Sequence, residues 1–448
     1  MLQAGSCRGL TNGSRTRRIC RAATIGIAAI RHREASLAEG DSISTGSSGP
    51  RVLSRGTHQA GVRLYNERLV LSIIRRRGSV AKADIARATG LSPQTISIIT
   101  NNLTRDGLLL KGAPSRGRVG QPLVPYSLNP DGAYAFGLKI GRRSAELVLL
   151  DLIGTVRARL HQPYDIADPR FILSFLEKNI GVLSRPLSPA QRERIAGVGI
   201  AAPFEMWNWQ QETGAPPETV ERWRETDIKA EAERKTPLPV YYYNDATSAC
   251  AAELMLGNPE HRMDFLHVFI GTFIGGGVVL NGSLFPGRSG YAGALGPMPF
   301  PVVNGKGGFG YHQMLRHVSI LSLAERVSAS GGDPHGLWQN RDDWSAFGVP
   351  LDAWIDEVAT GLALTVVSAT SVIDFEAVII DGGFPSVVRE DIVARTRRAM
   401  DRFDRQGLVP TDIVAGTIGP SAPAIGGACL PLLANFAQDR EVLFKETL

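Results

Sequence analysis

The sequence predicts an α/β protein that begins with a small helix-turn-helix unit and continues as a larger body of alternating strands and helices. Residues 66–107 show helical spacing of apolar side chains interrupted by turn signals, and residues 108–128 have the pattern of a short hairpin. From Ala133 onward, apolar strands alternate with amphipathic helices. The distribution of charge divides the chain at the same place. Residues 61–129 contain 11 Lys or Arg and 3 Asp or Glu, whereas residues 130–448 contain 29 Lys or Arg and 37 Asp or Glu.

Three helices are predicted in the first unit. Asn66 can cap the first helix, and Gly90 ends the second. The third helix begins with Ser92 as its N-cap and with Pro93 at the first helical position, where the missing N–H costs nothing. We expect this helix to run to Asp106.

The third helix has the face of a DNA-recognition helix. Ile96, Ile99 and Leu103 lie at helical spacing and should point into the core. The opposite face is polar and suits the major groove of DNA. The predicted DNA contacts on this helix are Ser92, Gln94, Thr95, Ser97, Ile98 and Asn101.

A basic hairpin follows the helices and is predicted to form a wing. Leu108 to Lys111 and Leu123 to Leu128 should be its strands, and the connecting loop carries Arg116 and Arg118 among glycines. Such a loop suits phosphates or a narrow minor groove. The alternative is an ordinary three-helix bundle with a solvated basic loop. The charge distribution favours DNA, because residues 61–129 carry a net charge of +8 and residues 130–448 a net charge of −8.

Residues 1–60 are rich in Arg, Ser and Gly and show no sustained periodicity. Two interpretations remain open for them: a disordered basic arm, or an extension from a start codon assigned too early. The four cysteines are scattered, which fits the cytoplasm and predicts neither disulfides nor a metal site. The sequence has no apolar run long enough to span a membrane, so no membrane association is expected.

The body should begin with a meander of three strands, at Ala135 to Ile140, Ala145 to Leu152 and Thr155 to His161. A helix from Pro169 to Leu183 and a strand from Ile195 to Ala201 should follow.

A buried strand from Val240 to Tyr243 precedes Asn244 and Asp245, which start a helix running to Leu256. These two polar side chains can cap the helix or bind a ligand, and the pattern leaves both roles open.

A glycine-rich segment, residues 269–282, is predicted to form a strand, a turn and a second strand. Glycines let backbone N–H groups approach a ligand closely, as in loops that bind phosphate. A second glycine-rich stretch follows at residues 287–296, and Asp381-Gly382-Gly383 follows another apolar strand. The predicted effector site comprises Asn244, Asp245, Gly275, Gly276 and Gly277.

This ordered set of motifs resembles the ROK family, which groups bacterial sugar-responsive repressors with sugar kinases. The resemblance covers residues 64–448, and it implies a two-lobed, actin-like and ribonuclease-H-like body behind the winged helix-turn-helix. It also implies that Asn244 and Asp245 contact a sugar. In the kinase members the matching aspartate is the catalytic base.

The chain departs from the kinase pattern at the first phosphate motif. Lys139 stands where the kinases have an aspartate, and Arg142 and Arg143 fill a turn that usually contains small residues. The substitution removes a carboxylate needed around metal-bound phosphates. We therefore predict no catalytic residues, no cofactor and no phosphoryl transfer. Arg142 and Arg143 can bind a free anion or form a solvated turn.

The family's zinc and sugar ligands are also replaced. Pro297, Val302, Asn304 and Phe309 stand at the zinc positions, so no tetrahedral site is expected. Ala294 and Pro297 replace two side chains that bind sugar hydroxyls, which predicts a ligand unlike glucose. Three tryptophans after Pro203 can stack on a sugar or pack the loop. They are Trp207, Trp209 and Trp223.

We therefore expect three segments: residues 1–60, a winged helix-turn-helix at 61–129, and an effector-sensing body of two lobes at 130–448. The predicted function is that of a cytoplasmic repressor, a homodimer or homotetramer, which binds a double-stranded operator under the control of a small carbohydrate or derivative. One alternative is an ATP-dependent sugar kinase with a DNA-binding appendage, and a second is a ligand-independent architectural DNA-binding protein.

We expect two substitutions to affect DNA binding differently. Gln94 is placed for a bidentate contact with adenine, which contributes about 1–3 kcal/mol of discrimination, so Gln94→Ala should relax the sequence preference. Arg118→Ala should weaken binding to all DNA and flatten its salt dependence, because contacts to phosphates act through counterion release. Anisotropy titrations over a salt series measure both effects. Equal affinities of the wild type and Arg118→Ala at every salt concentration would exclude the wing from the DNA-binding surface.

Overall fold

The computed structural model describes residues 59–114, 123–209, 215–303, 308–340 and 342–438. The predicted wing-loop residues Arg116 and Arg118, and Asn304, lie outside these ranges. So does nearly all of the basic segment 1–60.

The helix-turn-helix and its wing have the three helices and two hairpin strands in the predicted order, and an additional short strand that was not predicted lies between the first two helices. They are α1 (Gln59–Arg77), β1 (Ser79–Ala81), α2 (Lys82–Thr89), α3 (Pro93–Arg105), β2 (Leu109–Lys111) and β3 (Pro125–Leu128). The strands form an antiparallel sheet in the order β1-β3-β2. The backbone N–H of Thr95 donates to Ser92 Oγ at 3.1 Å, which confirms Ser92 as the cap of α3. Ile96, Ile99 and Leu103 are buried, as predicted.

The predicted start of the first helix is wrong. Helix α1 is already formed at Gln59, so Asn66 lies within the helix and does not cap it. Residues 59–65 contain no proline, and the side chain of Tyr65 accepts a hydrogen bond from Gln438 Nε2 at 2.6 Å. This contact at the far end of the chain favours an additional stretch of helix, which a local capping signal cannot indicate.

The first lobe of the body is a five-stranded sheet in the order β6-β5-β4-β7-β8, in which β4, β7 and β8 are parallel. Its predicted meander and the helix from Pro169 to Leu183 are confirmed. The elements are β4 (Tyr134–Ile140), β5 (Ser144–Asp151), β6 (Val156–Pro163), α4 (Pro169–Leu183), α5 (Pro189–Arg192), β7 (Ile195–Ala202), α6 (Pro217–Glu225), α7 (Ile228–Lys235) and β8 (Val240–Asn244).

The second lobe has a five-stranded sheet in the order β11-β10-β9-β14-β15 and a separate hairpin, β12-β13. Helix α8 (Asp245–Leu256) leads into it from the first lobe. The further elements are β9 (Phe265–Ile270), β10 (Ile274–Leu280), β11 (Ser283–Phe285), β12 (Pro299–Val303), β13 (Phe309–Gln313), α9 (Ile320–Ala329), α10 (Gly336–Gln339), α11 (Gly348–Thr370), β14 (Ala377–Gly382), α12 (Ser386–Ala399), β15 (Asp412–Ala415) and α13 (Ala422–Phe436).

Helices α8 and α13 pack against each other between the two sheets, and glycine makes this packing possible. A Cβ atom at Gly426 of α13 would lie 1.7 Å from the carbonyl oxygen of Ser248 on α8. On the other side of α13, a Cβ at Gly199 of β7 would lie 1.8 Å from the carbonyl oxygen of Gly427. Both distances are far below van der Waals contact, so these positions admit no side chain without movement of the backbone.

We expect Gly426→Ala to destabilise the protein although alanine favours helix. The new methyl group would overlap a backbone carbonyl, and overpacking costs about 1–3 kcal/mol or more. The matched control is Gly181→Ala in α4, where nothing lies within 4 Å of an added Cβ; its free energy of unfolding should rise by up to about 1 kcal/mol. Urea denaturation measures both, and similar unfolding midpoints for the two variants would contradict the assignment.

Candidate functional site

Helix α3 presents most of its predicted DNA-contacting side chains to solvent. Gln94, Ile98 and Asn101 are exposed, and Ile98 has 55% of its surface accessible although it is aliphatic. Lys82 Nζ donates to Asn101 Oδ1 at 3.3 Å, which adds a cation beside this face. An exposed aliphatic side chain among polar ones suits contact with a thymine methyl group.

The other predicted DNA-contacting residues of this helix are less available to DNA, because they are half-buried or interact with one another. Thr95 and Ser97 are half-buried, and the Oγ of Ser92 lies 2.8 Å from Thr95 Oγ1 while it caps the helix. Ser92 therefore also has a structural role. Its hydroxyl lies at the N-terminus of α3, where backbone N–H groups and the helix dipole favour an anion such as a DNA phosphate.

The end of this recognition helix is attached to the first lobe. Arg194, immediately before β7, donates from Nη1 to the carbonyl oxygens of Asp106 and Gly132, both at 3.3 Å. Arg75 at the end of α1 donates to the carbonyl oxygen of Leu152 at 2.8 Å, and burial lowers the pKa of its guanidinium to about 10. These hydrogen bonds connect the end of α3 and the end of α1 to the first lobe.

A cleft of about 1050 Å³ lies between the two lobes. The predicted site residues Asn244, Asp245, Gly275 and Gly276 line it, together with Lys139 and further residues of both lobes. Asn244 ends β8, which is parallel to β7, so the carboxyl ends of both strands open at the same edge of the sheet. Ligands of α/β proteins commonly bind at this edge.

Asn244 and Asp245 combine the two roles that the sequence left open. The Oδ1 atoms of both side chains accept from the backbone N–H of Ala246 at 3.0 Å, so the pair caps α8. Burial raises the pKa of Asp245, while the charges of Lys139 and Arg142 act to lower it.

The glycine run was assigned to the wrong element. Gly275, Gly276 and Gly277 lie in strand β10, and the turn is formed by Gly271, Thr272 and Phe273. A Cβ at Gly275 would lie 2.6 Å from Cβ of Ala246, and one at Gly277 would lie 2.4 Å from Cβ of Cys250. These two glycines allow β10 to approach α8. Gly277 lies outside the cleft lining, which corrects its place in the predicted site.

Arg142 joins the two lobes across the cleft. Its guanidinium carbon lies 4.1 Å from the centroid of the Phe273 ring in the β9–β10 turn, a cation–π distance. The side chain of Arg142 is half-buried, so the interpretation of this residue as part of a solvated turn is wrong. The neighbouring Arg143 is exposed.

Sequence reasoning missed three cleft residues. Phe204 and Tyr291 come from different lobes, and their ring centroids are 5.0 Å apart. Tyr291 is hydrogen-bonded to Glu205, and burial and this carboxylate raise its pKa. The signal was available, because Phe204 and Glu205 follow β7 as Asn244 and Asp245 follow β8.

The tryptophans have different positions. Trp223 is buried and donates from Nε1 to the carbonyl oxygen of Ala167 at 2.7 Å. Of the two interpretations, packing is therefore correct for Trp223 and stacking on a ligand is wrong. Trp207 packs against the core of the first lobe. The side chain of Trp209 is outside the described part of the chain.

The hairpin at the replaced zinc positions carries a histidine pair. Nδ1 of His312 lies 3.0 Å from Nε2 of His317, whose Nδ1 lies 2.8 Å from Glu357. Phe300 of β12 stacks on His317 with a centroid distance of 4.2 Å. His312 therefore has a ring partner in His317.

Comparison with known families identifies both the body and the winged helix-turn-helix that precedes it, which we call the head. A model of the ROK family matches residues 135–432, well over half of the chain. The chain belongs to the ROK family. A model of winged helix-turn-helix DNA-binding domains matches residues 63–109. The family recognised from the glycine motifs, and the winged helix ahead of it, are thereby confirmed.

ROK relatives include both repressors and kinases. The xylose repressor of Bacillus subtilis strain 168 is 26% identical over 242 residues, which cover 54% of this chain and 62% of that protein. The N-acetylglucosamine repressor of Escherichia coli O6:H1 is 24% identical over 52% of this chain and 57% of its own length. The glucokinase of Halalkalibacterium halodurans is 24% identical over 66% and 93%, respectively. The match thus spans about three-fifths of each repressor.

Solved structures confirm the fold. A ROK family transcriptional regulator, a homolog of the E. coli MLC protein, matches with a TM-score of 0.59 and 20% identity over 86% of this chain and 99% of its own. A ROK family glucokinase from Streptomyces griseus, in complex with glucose and AMPPNP, has a TM-score of 0.51 and 20% identity over 66% and 99%. Within the described ranges, no helix is both long and apolar enough to cross a bilayer.

Proposed function

We propose that this protein is a transcriptional repressor whose binding to a double-stranded operator is controlled by a small carbohydrate or carbohydrate derivative in the interlobe cleft. One observation carries the proposal: Arg194 attaches the end of the recognition helix to the lobe that supplies half of the cleft. The repressors among its ROK relatives support the same function.

DNA reading is assigned to the exposed face of α3. Gln94 contacts a base edge in the major groove, and Ile98 contacts a thymine methyl group. Lys82 and Asn101, which are hydrogen-bonded to each other, lie beside the phosphate backbone of the DNA. The wing residues Arg116 and Arg118 add phosphate contacts. In a homodimer or homotetramer, two such helices read two half-sites.

Effector binding is assigned to the carboxyl edge of the first sheet. Asp245 Oδ2 and the side chain of Glu205 are positioned to accept hydrogen bonds from vicinal hydroxyls, and Tyr291 offers an aromatic face from the other lobe. A ligand that contacts both lobes favours the closed state over the open one, which is the condition for a population shift.

Coupling to DNA runs through α1 and α3. Arg75 contacts the first lobe at Leu152, while the adjacent Arg76 lies 3.6 Å from the sulfur of Met263 in the second lobe. Lobe closure changes the distance between these two contacts, and the head must rotate to follow. The spacing of the two recognition helices in an oligomer changes with it.

We assign no phosphoryl transfer to the cleft. Lys139 supplies a cation where kinase members hold a carboxylate, and the Arg142–Phe273 contact lies between the two turns that face each other across the cleft. Both features act against a magnesium-bound polyphosphate, since its metal needs carboxylate ligands.

Asp245→Asn should abolish the response to effector without loss of stability. Asparagine retains an oxygen for the N–H of Ala246 but carries no charge and cannot accept at both former carboxylate oxygens. Operator DNA selected from a random pool is titrated by anisotropy with D-xylose, N-acetylglucosamine and a panel of related sugars. The wild type should lose affinity with one of them, and Asp245→Asn should not. Asp374→Asn, at an exposed position, is the control. A normal response of Asp245→Asn would remove Asp245 from the site.

The pH dependence of stability provides a second test of the same variant. The folded pKa of Asp245 lies above its unfolded value, so the folded state binds this proton more tightly. As the pH rises from the usual carboxyl range through the raised pKa, the wild type should therefore lose stability relative to Asp245→Asn. Melting temperatures from pH 4 to pH 8 measure the difference.

We expect no sugar phosphorylation by the wild type with ATP and Mg²⁺, because the carboxylate required near the metal is replaced by Lys139. A coupled assay over the same sugars measures ADP release. Turnover above background that disappears in Asp245→Asn would favour the kinase alternative.

A further inference from the structure

Three buried ionisable side chains meet beneath α8, away from the effector cleft. Glu253 of α8 is 1% exposed, and His267 of β9 and Asp381 at the end of β14 are both 0% exposed. One ligand atom from each lies within 4.8 Å of the other two. Glu253 lies eight residues along α8 from Asp245, about 12 Å at 1.5 Å per residue.

The fold places these residues together. His267 pairs with Gly277 across the β9–β10 ladder, and an added Cβ at Gly277 would touch Cys250 of α8, so His267 is on the sheet face that packs against this helix. Strand β14 is parallel to β9, and Asp381 pairs with Phe269 two residues along on the same face.

Both carboxylates are fixed by donors from outside the cluster. Glu253 accepts from the backbone N–H groups of Asn258 at 2.9 Å and Thr417 at 3.0 Å. Asp381 accepts from the N–H groups of Gly382 at 2.8 Å and Gly419 at 2.7 Å, and from Arg389 Nη1 at 2.8 Å. Such outer contacts orient a carboxylate, as they do around metal ligands.

The imidazole of His267 has no such partner. In the described structure, both of its ring nitrogens are buried without a hydrogen bond. Burial lowers its pKa, although Glu253 and Asp381 act in the opposite direction. An imidazole with an available ring nitrogen, next to two carboxylates, is the donor set of a divalent transition metal.

We propose that Glu253, His267 and Asp381 bind one divalent transition-metal ion, Zn²⁺ or Mn²⁺, in a structural site. One imidazole and two carboxylates favour these ions over Mg²⁺ and Ca²⁺, which prefer oxygen ligands. The two carboxylates carry two negative charges, of which Arg389 balances one, so a cation compensates the remaining buried charge. Metal–ligand distances of about 2.0–2.2 Å require only small side-chain movements to close the cluster.

The ion would fasten three parts of the second lobe to one another. Helix α8 carries the Asn244–Asp245 pair at its start, β9 and β14 are central strands, and Thr417, which bonds Glu253, precedes α13. Because all three side chains are buried, the site stabilises the structure and offers no room for a substrate. This inference does not depend on the proposed repressor function.

The test is the metal content of the full chain. Protein without a histidine tag is unfolded in guanidinium with EDTA, desalted, and refolded with Zn²⁺, Mn²⁺, Mg²⁺ or no ion. We expect about one Zn²⁺ or Mn²⁺ per chain by elemental analysis and a higher Tm than without ion. His267→Asn and Asp381→Asn should each lose the metal, and His312→Asn, at an exposed histidine, should retain it.

Refolding the wild type with Co²⁺ gives a readout that needs no variant, since nitrogen and oxygen ligation produces visible absorption bands. Refolded wild type that holds no transition metal and shows an unchanged Tm would overturn the proposal. So would metal that persists in both His267→Asn and Asp381→Asn, because it would then be bound elsewhere.

Discussion

The structure depends on the close approach of α8 and α13 between the two sheets. At Gly426 the backbone of α13 lies so near the carbonyl oxygen of Ser248 that even a methyl group cannot be accommodated. Gly199 and Gly137 produce the same approach between α13 and the first sheet, and Gly275 and Gly277 produce it between α8 and the second. Helices packed backbone to backbone cannot be compressed further, so relative movement of the lobes must occur as sliding or rotation about this pair.

That constraint determines where the effector site and the DNA-binding head can communicate. The Asn244–Asp245 pair begins α8, and the far end of α13 reaches the head, where Phe436 packs against the core of the helix-turn-helix and the core of the body. Arg194 and Arg75 add polar contacts between the head and the first lobe. The head is therefore joined to the body by both apolar packing and hydrogen bonds. Under the proposed function, a rotation about the helix pair would reach the recognition helix through these contacts.

Local signals in the sequence predicted most of the fold. Pro169 to Leu183 and the helix ending at Leu256 were found at their true boundaries, and each begins with a capping side chain, Asp168 and Asn244 respectively. Errors arose where a residue has two uses. The glycines at 275–277 were interpreted as a ligand-binding turn, but their missing side chains serve helix packing. Asn66 has the chemistry of a cap but lies within a helix that a distant contact extends.

Of the site residues that were missed, Phe204 and Glu205 carried a strand-end signal, whereas the others meet only in three dimensions. Tyr291 reaches Phe204 across the cleft, and Glu253, His267 and Asp381 come from a helix and two strands that are separated by up to 128 residues of sequence. No spacing rule relates such positions, whereas Asn244 and Asp245 are adjacent and follow a recognisable strand. A sequence motif therefore identifies site residues that are adjacent at the end of one strand, but it does not identify those that distant elements bring together.

In the proposed sensor, the sugar site and the changed phosphate motif lie on different elements. The proposed hydroxyl recognition at Asp245 depends on the end of β8 and the start of α8, which the glycine packing beneath them holds in place. Lys139 and Arg142 belong to β4 and to the turn that follows it, two and five residues after Gly137, the position at which β4 packs closely on α13. A cation at Lys139 lowers the pKa of Asp245 and so favours its ionised, hydrogen-bond-accepting form, against the effect of burial. Under the proposed function, the cation that opposes metal-bound phosphate would therefore support hydroxyl binding at the adjacent carboxylate.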